Sequence, residues 1–469
     1  MKKIIQHTIL FFLAGFFVST AFAQNKAGYK LPVYEKFTLK NGLTVYLMEH
    51  HEVPIISVSA IIPAGAIYDG EKAGLASLTS TALKHGTKNF TKIKLDEELD
   101  FHGASINTSA SKEAASMSAR MASKDKDKIL NLLKEVMLEP SFDAAEFEKE
   151  KKRLLVGLEQ QKESPRSVIA SYFDKFIFGD HVYGNIVQGK ISTVTPLTVD
   201  DVKKFYAENY LPEGSAISVA GDFKPAEMKT LITRLFSDWK KGTKPQVNLA
   251  SKPIATPVKQ QVLLINKDDA KETTFYIGAL GISRNNPDYI SIDVVNTLFG
   301  GRFTSMLNDE LRVNTGLTYG ANSRFAALKN GGTFAISTFT AVKTTEPAID
   351  KAIEVLNKLH STGINDTSLA SAKNYVKGQF PPRYETAGQL AGLMTQMFWY
   401  NFDESFINNF EKNVDGLTLD KAKQIIAKYF PKDKLQFVMI GKSADIKKIA
   451  EKYGPVTEVQ IKEDVKKAF

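Results

Sequence analysis

The second half of the chain repeats a pattern found in its first half. The segment that begins at Leu197, LTVDDVKKFY, is followed by a Tyr-Leu-Pro turn and by an apolar run that ends at Gly221. A segment of the same form begins at Leu417 and ends at Gly441, so both landmarks recur after 220 residues. A repeat of this length predicts two homologous domains of about equal size, because each copy is long enough to bury its own core.

Within the first half, strand patterns and helix patterns follow each other in blocks. Residues 34–62 contain an Asn-Gly hairpin signal and a β-branched run, and residues 104–121 contain two alternating runs that indicate a second hairpin. Residues 125–138 and 143–161 have the apolar spacing of helices. This order predicts an α+β fold.

The first 23 residues have the pattern of a secretory signal peptide. Two lysines precede a short apolar run, which closes on Ala-Phe-Ala, a site that predicts cleavage after Ala23. No later segment approaches the roughly 18 apolar residues that a membrane span requires. The chain has no cysteine, which excludes disulfides and a lipid anchor at the cleavage site. The sequence thus predicts export across the inner membrane to a Gram-negative periplasm.

Lysine, glycine, proline, threonine and serine accumulate between residues 240 and 258, which indicates a linker between the two repeats. The predicted divisions are a signal peptide at 1–23, an N-terminal domain at 24–245 and a C-terminal domain at 246–469. The formal net charge of +9 is distributed in mixed runs such as EKEKKR at 148–153. Such runs are typical of solvated helix faces, so we expect no nucleic-acid partner.

The segment at residues 74–87, GLASLTSTALKHGT, places apolar residues on one face of a short helix and small hydroxylated residues on another. Its frame resembles the zinc-site helix of the insulinase and pitrilysin superfamily, in which an inverted His-x-x-Glu-His motif binds the metal. The resemblance assigns those three motif positions to Ser77, Ser80 and Thr81. The helix would then be a peptidase frame without peptidase metal ligands.

This resemblance extends over nearly the whole chain after the signal peptide and is closest to the two-domain bacterial and mitochondrial-processing-peptidase branch. Further matching segments are GASIN at 103–107, FGDHVYG at 178–184 and the stretch from Gly300-Gly301 to Tyr319. The family fold implies two homologous domains, each an antiparallel sheet with helices packed on one side, which form half of a closed peptidase chamber. Substrate peptides are expected to lie in that chamber.

The resemblance also implies where a third metal ligand is missing. The family's glutamate lies roughly 75 residues beyond the second histidine, on a neighbouring helix. Counting along the sequence places Gly157 there, and Glu159 would point away because two helical residues turn through about 200°. No two histidines after the signal peptide have the i, i+4 spacing of a helical metal site. We therefore assign no metal to this chain and expect zinc on a partner subunit.

Two residues of the second half match a pair that is functional in heterodimeric relatives. In those relatives the zinc-free subunit carries an arginine and a tyrosine seven residues apart, as Arg312 and Tyr319 are here, and they reach the substrate at the partner's zinc. The alternative is structural: Arg312 would pair with Asp309 or Glu310, and Tyr319 would fill the start of a strand. Asn107 is a candidate for orienting the substrate backbone, or a residue that closes a turn.

Three functions remain open. We favour the zinc-free subunit of a periplasmic heterodimeric metalloendopeptidase, whose partners are a paralogous zinc-bearing subunit and peptide substrates. The second is a non-enzymatic structural or peptide-binding subunit of the same fold. A self-sufficient zinc peptidase is the least favoured, because hydroxyl groups and a glycine are poor replacements for imidazole and carboxylate ligands.

Overall fold

The computed structural model describes residues 28–243 and 254–463. The predicted signal peptide and the predicted domain boundary at residue 245 lie outside these described residues. Among the helices of the described part, none combines the length and the apolar character needed to cross a membrane.

The first half contains strands and helices in alternating blocks, as the periodicities predicted. Its strands are β1 (Glu35–Thr38), β2 (Thr44–Glu49), β3 (Ile55–Ile62), β4 (Ser105–Ala110), β5 (Ala115–Ala122) and β6 (Ala216–Gly221). Its helices are α1 (Leu75–Ala82), α2 (Lys92–Phe101), α3 (Lys126–Leu138), α4 (Ala144–Gln161), α5 (Pro165–Phe178), α6 (Ile191–Val194), α7 (Val199–Asn209) and α8 (Pro225–Phe236).

The second half follows a similar order, but it has one additional helix after its second hairpin, and one of its edge strands comes last in the order rather than first. Its strands are β7 (Gln261–Asn266), β8 (Glu272–Leu280), β9 (Ala321–Leu328), β10 (Gly331–Ala341), β11 (Gln436–Gly441) and β12 (Val456–Gln460). Its helices are α9 (Tyr289–Asn296), α10 (Met306–Asn308), α11 (Thr345–Ser361), α12 (Asp366–Gln379), α13 (Ala387–Tyr400), α14 (Glu404–Asn408), α15 (Phe410–Asp415), α16 (Leu419–Tyr429) and α17 (Ser443–Ala450). Two π-helical segments, Thr297–Gly301 and Asp309–Asn314, flank α10.

Each half forms one six-stranded sheet, and the two sheets have equivalent strand orders. The order is β1-β2-β6-β3-β5-β4 in the first sheet and β12-β7-β11-β8-β10-β9 in the second. The repeated sequence segments end in β6 and β11, which begin at Ala216 and Gln436, 220 residues apart, and hold the same central place. The predicted α+β class with two homologous halves is confirmed.

The sheets are mainly antiparallel but include parallel pairs. Strand β6 lies between β2 and β3 and runs parallel to β2 and antiparallel to β3. In the second sheet β11 runs parallel to β7, and β12 also pairs with β7 in parallel. Since β2 and β3 run in opposite directions, a strand inserted between them must be parallel to one of the two.

The two halves exchange a helix. Helix α13 of the second half packs on β3 and β6 of the first sheet, where the Ser218 hydroxyl donates to the Ala391 carbonyl at 2.6 Å. Helix α5 of the first half packs on β8 and β11 of the second sheet, and the rings of Phe173 and Tyr276 meet edge to face at 5.6 Å. Each sheet therefore packs its own helices on one face and a helix of the other half on the opposite face.

Candidate functional site

Helix α1 is fixed at its start by a buried carboxylate. Asp69 accepts hydrogen bonds from the backbone N–H groups of Gly74 at 2.9 Å and Ala76 at 2.8 Å. Gly74 has a φ of +101°, which a side chain would strain. Burial raises the pKa of Asp69 to about 7, although the two backbone hydrogen bonds act in the opposite direction. The capped helix carries the three positions that the resemblance assigned to zinc ligands.

Those three positions have different surroundings. Ser77 and Thr81 line one cavity, and the Thr81 hydroxyl donates to the Ser77 carbonyl at 3.1 Å. Ser80 is only 1% exposed and does not line that cavity. Its hydroxyl faces that of the buried Tyr210, without the geometry of a well-formed hydrogen bond. The three residues therefore do not share one exposed face: Ser77 and Thr81 line the cavity, whereas Ser80 lies in the protein interior.

The cavity beside α1 has a volume of about 540 Å³ and a lining of both polar and apolar groups from α1, α4, α5, β4 and the segment 185–188. Within it the Lys112 ammonium lies 3.1 Å from an Asp174 carboxylate oxygen. The same ammonium donates to the carbonyl groups of Tyr183 at 2.7 Å and Asn185 at 3.2 Å. The three acceptors match the three donors of an ammonium group, so this cation is internally satisfied.

Gly157 lies on α4, on the same helix face as the cavity-lining Gln161 four residues later. A Cβ placed on Gly157 would meet no atom within 4 Å. The position therefore faces open space and supplies no ligand.

A zinc ion needs imidazole, thiolate or carboxylate donors in a tetrahedral set. Ser77, Thr81 and Gly157 offer two hydroxyls and a hydrogen atom, which do not fit that requirement. The nearby His85 is buried, and burial lowers its pKa. Across residues 28–243 and 254–463, no cluster of three or more His, Cys, Asp or Glu side chains could hold a metal ion.

Strand β4 forms the edge of the first sheet beside α1, and no described strand pairs with its outer side. Asn107 is exposed in the middle of β4, opposite Ser118 of β5, whereas Ile106 points into the core. Asn107 therefore lies in a strand and does not close a turn. An edge strand of this kind has free backbone groups with which an extended peptide can pair.

Arg312 and Tyr319 lie together in the second half, outside the described lining of the cavity at α1. Arg312 is in the second π-helical segment, and Tyr319 precedes β9. The Arg312 guanidinium lies 5.0 Å from the centre of the Tyr319 ring and 4.8 Å from that of Phe303. Tyr319 is 76% exposed, so it does not fill the start of the strand.

Arg312 forms no ion pair with any described residue. The neighbouring Glu310 carboxylate lies 3.3 Å from the Lys358 ammonium, and hydrogen bonds from Asn314 and Lys358 lower its pKa. The structural alternative in which Glu310 neutralises Arg312 is therefore absent from this structure. The guanidinium is left free for an external acceptor.

The sequence analysis did not identify Phe303 or the two neighbouring charged residues Lys112 and Glu113. Phe303 follows the Gly-Gly pair that the resemblance identified, so an aromatic residue in that loop was the available signal. Lys112 and Glu113 are adjacent in the β4–β5 turn, where charged residues are normally solvated. Glu113 is only 3% exposed, a burial that no local pattern indicates.

Comparison with known proteins shows that two family models match this chain. A family model described as "Insulinase (Peptidase family M16)" matches residues 44–189, and one described as "Peptidase M16 inactive domain" matches residues 196–376.

The curated relatives include one named as a zinc protease and one named as a non-peptidase. An uncharacterized zinc protease, YmxG, of Bacillus subtilis is 22% identical over 345 residues, which cover 73% of this chain and 83% of the relative. A protein of Helicobacter pylori named non-peptidase homolog YmxG is 23% identical over 403 residues, covering 84% of this chain and 90% of the relative.

A solved structure supports the fold. The crystal structure of a peptidase M16 inactive domain from Pseudomonas fluorescens superposes with a TM-score of 0.82 at 25% identity, covering 87% of this chain and 98% of that one.

Proposed function

The chain belongs to the insulinase superfamily of zinc peptidases, and from this premise we propose that it is the zinc-free subunit of a two-subunit zinc endopeptidase. In this proposal a paralogous subunit with an intact His-x-x-Glu-His motif binds zinc. The present chain supplies Arg312, Tyr319 and half of the chamber, and Asn107 helps to orient the peptide backbone. We also propose that the complex acts in the periplasm, as the signal-peptide pattern of residues 1–23 suggests.

The observation that carries this proposal is the contrast between the two sites. At α1 the ligand positions hold Ser77, Thr81 and Gly157, which cannot supply a metal-binding set. At the second site a guanidinium without an ion-pair partner among the described residues lies against two exposed rings, so its N–H groups are available to a ligand. A substrate group that approaches from another subunit would supply the acceptor that Arg312 lacks within this chain.

The chemistry assigned to the pair follows from the groups themselves. Zinc on the partner would activate the attacking water. The planar fork of Arg312 can hold a peptide carbonyl or carboxylate oxygen with two parallel N–H groups. The Tyr319 hydroxyl can donate to the oxyanion that develops as the carbonyl is attacked. Both groups act on the substrate without touching the metal.

The test combines each variant with the zinc-bearing subunit and measures both complex formation and peptide cleavage. Tyr319→Phe removes one hydroxyl, and the loss of one oxyanion donor typically lowers turnover by ~10²- to 10³-fold. We expect Arg312→Ala to have an equal or larger effect, with assembly preserved in both variants. Tyr375→Phe, which removes the hydroxyl of another partly exposed tyrosine, is the matched control and should cleave at the wild-type rate.

A second candidate function is a non-enzymatic peptide-binding or structural subunit. It is favoured by the unpaired edge of β4 beside a polar cavity, because such an edge can bind an extended peptide without cleaving it. Assembly of both variants with wild-type cleavage rates would make Arg312 and Tyr319 structural and would favour this second candidate.

A further inference from the structure

We propose that Phe303 is a positioning residue for Arg312, so that Phe303, Arg312 and Tyr319 form one unit that presents a guanidinium to a carbonyl or carboxylate group of a bound peptide. This inference rests on the proposed function and extends it to a third residue. Phe303 itself needs no contact with the reacting atoms.

The geometry is that of a cation between two rings. The guanidinium carbon lies 4.8 Å from the Phe303 ring centre and 5.0 Å from the Tyr319 ring centre. Both distances are within the range of a cation–π contact. An arginine on a surface otherwise samples many rotamers, and contact with two rings restricts that sampling. The rings therefore hold Arg312 in one orientation before a ligand arrives.

A single buried amide links the two segments that carry the rings. The Asn308 side chain is 4% exposed, and its Nδ2 donates to the Phe303 carbonyl at 2.7 Å. Its Oδ1 accepts from the backbone N–H of Ala321 at 3.3 Å, two residues beyond Tyr319. The spacing of the rings is therefore fixed by the fold.

A second anchor fixes the loop that contains Phe303. Arg302 donates from its Nη1 to the Ser371 carbonyl at 3.2 Å and from its Nε to the Thr304 carbonyl at 3.3 Å. Gly300, at the base of the loop, lies so close to Ser323 that a Cβ would collide with it. The loop is thus held by contacts on both sides of Phe303.

The exposure of Phe303 supports a function for its ring. Its side chain is 64% exposed. Burial in a core would stabilise such a ring, whereas here it covers one face of an arginine that has no carboxylate partner among the described residues. Because no internal carboxylate competes, both edges of the guanidinium fork remain available to a planar oxygen-bearing group.

The experiment has two readouts. In the isolated chain, ¹⁵N NMR of the arginine Nε–Hε groups should show a ring-current shift for Arg312, assigned by its loss in Arg312→Ala. Phe303→Leu should reduce that shift, and Phe303→Tyr should preserve it. In the complex with the zinc-bearing subunit, Phe303→Leu should lower kcat/KM by roughly 10- to 100-fold, mainly through kcat, because a misplaced group weakens transition-state contacts.

Phe303→Tyr should restore cleavage, and Phe101→Leu, which changes an exposed aromatic residue of the first half, should cleave at the wild-type rate. If Arg312→Ala impairs cleavage but Phe303→Leu does not, Phe303 is not a positioning residue and the proposed function still stands. If the Arg312 Nε–Hε chemical shift is the same in Phe303→Leu and in wild type, the proposed contact between the Phe303 ring and Arg312 is also wrong. If Arg312→Ala cleaves normally, the proposed function fails and this inference fails with it.

Discussion

At the residue scale, burial changes the chemistry expected of polar side chains. Asp69 is buried near the start of α1, and burial raises the pKa of its carboxyl to about 7. Proteins rarely bury an aspartate without a cation, but here two backbone N–H groups act as its partners. Its protonation state is thereby linked to the stability of the helix that carries Ser77, Ser80 and Thr81.

The raised pKa predicts a specific pH dependence. A group whose folded-state pKa exceeds its unfolded value contributes stability that is fully present below about pH 4 and is lost as pH rises to about 7. Between these limits the free energy of unfolding of wild type should fall relative to that of Asp69→Asn by up to about 1.4 kcal/mol per pH unit. Urea denaturation at pH 5, 6, 7 and 8 measures the difference.

Asp143→Asn is the matched control for this experiment. Asp143 caps α4 by accepting from the Glu146 N–H at 2.9 Å, but it is solvent-exposed. Its substitution should change the free energy of unfolding without the same dependence on pH. Parallel stability curves for wild type and Asp69→Asn would contradict the prediction.

At the scale of elements, α1 and α4 carry the positions that the family resemblance assigns to zinc ligands. Ser77 and Thr81 line the cavity one turn apart, and Gly157 lies on α4 with free space around it. Ser80 differs because it is buried against Tyr210. A glutamate at position 80 would bury a carboxylate and destabilise the helix.

Restoring the ligands should therefore restore metal binding. The triple variant Ser77→His, Thr81→His, Gly157→Glu is expected to bind about one zinc ion per chain, because three protein ligands with an open fourth position form a zinc site. Elemental analysis and zinc titration of the purified protein provide the measurement. Wild type should bind no stoichiometric zinc.

A control places the carboxylate on the wrong face of α4. Val156 is 56% exposed, and Val156→Glu combined with the same two histidines should bind zinc more weakly, because one residue turns the side chain through about 100°. Equal affinities of the two triple variants, or a folded Gly157→Glu variant without zinc, would show that the assigned positions are wrong.

At the scale of the whole molecule, the two halves are joined by exchanged helices and by one buried carboxylate. Glu113 accepts from the Tyr183 hydroxyl of its own half, from the Lys329 N–H at 3.0 Å and from the Trp399 indole N–H at 3.4 Å. The Lys329 ammonium lies 3.5 Å from the centre of the Trp399 ring. The turns of the second hairpin in each half thus meet around Glu113.

Removal of this carboxylate should destabilise the whole chain. Glu113→Ala leaves several buried donors without an acceptor, each at a cost of about 1–3 kcal/mol. We expect a decrease in Tm of several degrees in a thermal unfolding scan, and a smaller decrease for Glu113→Gln, which keeps one acceptor. Glu71→Ala changes an exposed carboxylate and should stay within about 0.5 kcal/mol of wild type. A Glu113→Ala variant as stable as Glu71→Ala would contradict a joining role.

The sequence by itself determined the features that are local or repeated. The 220-residue repeat between Leu197 and Leu417 predicted two homologous α+β halves, because similar sequence segments form similar local structures. The hairpin at 104–121 and the helices at 125–138 and 143–161 followed from periodicity, since the side chains of a strand or helix report their own burial. Once the family resemblance had assigned Ser77, Thr81 and Gly157 to the ligand positions, their residue types were enough to predict a poor donor set.

The tertiary structure alone decided which distant residues meet. Ser80 is buried because Tyr210 of a later helix end covers it, and Glu113 is buried because Lys329 and Trp399 of the other half close over it. The buried amide of Asn308 links the backbone at Phe303 to that at Ala321, near Tyr319. The sequence patterns also did not predict the exchange of α5 and α13 between the two halves. The contacts of Ser80 and Glu113 and the helix exchange join residues far apart in the chain, and a pattern with a period of a few residues has no information about such pairs.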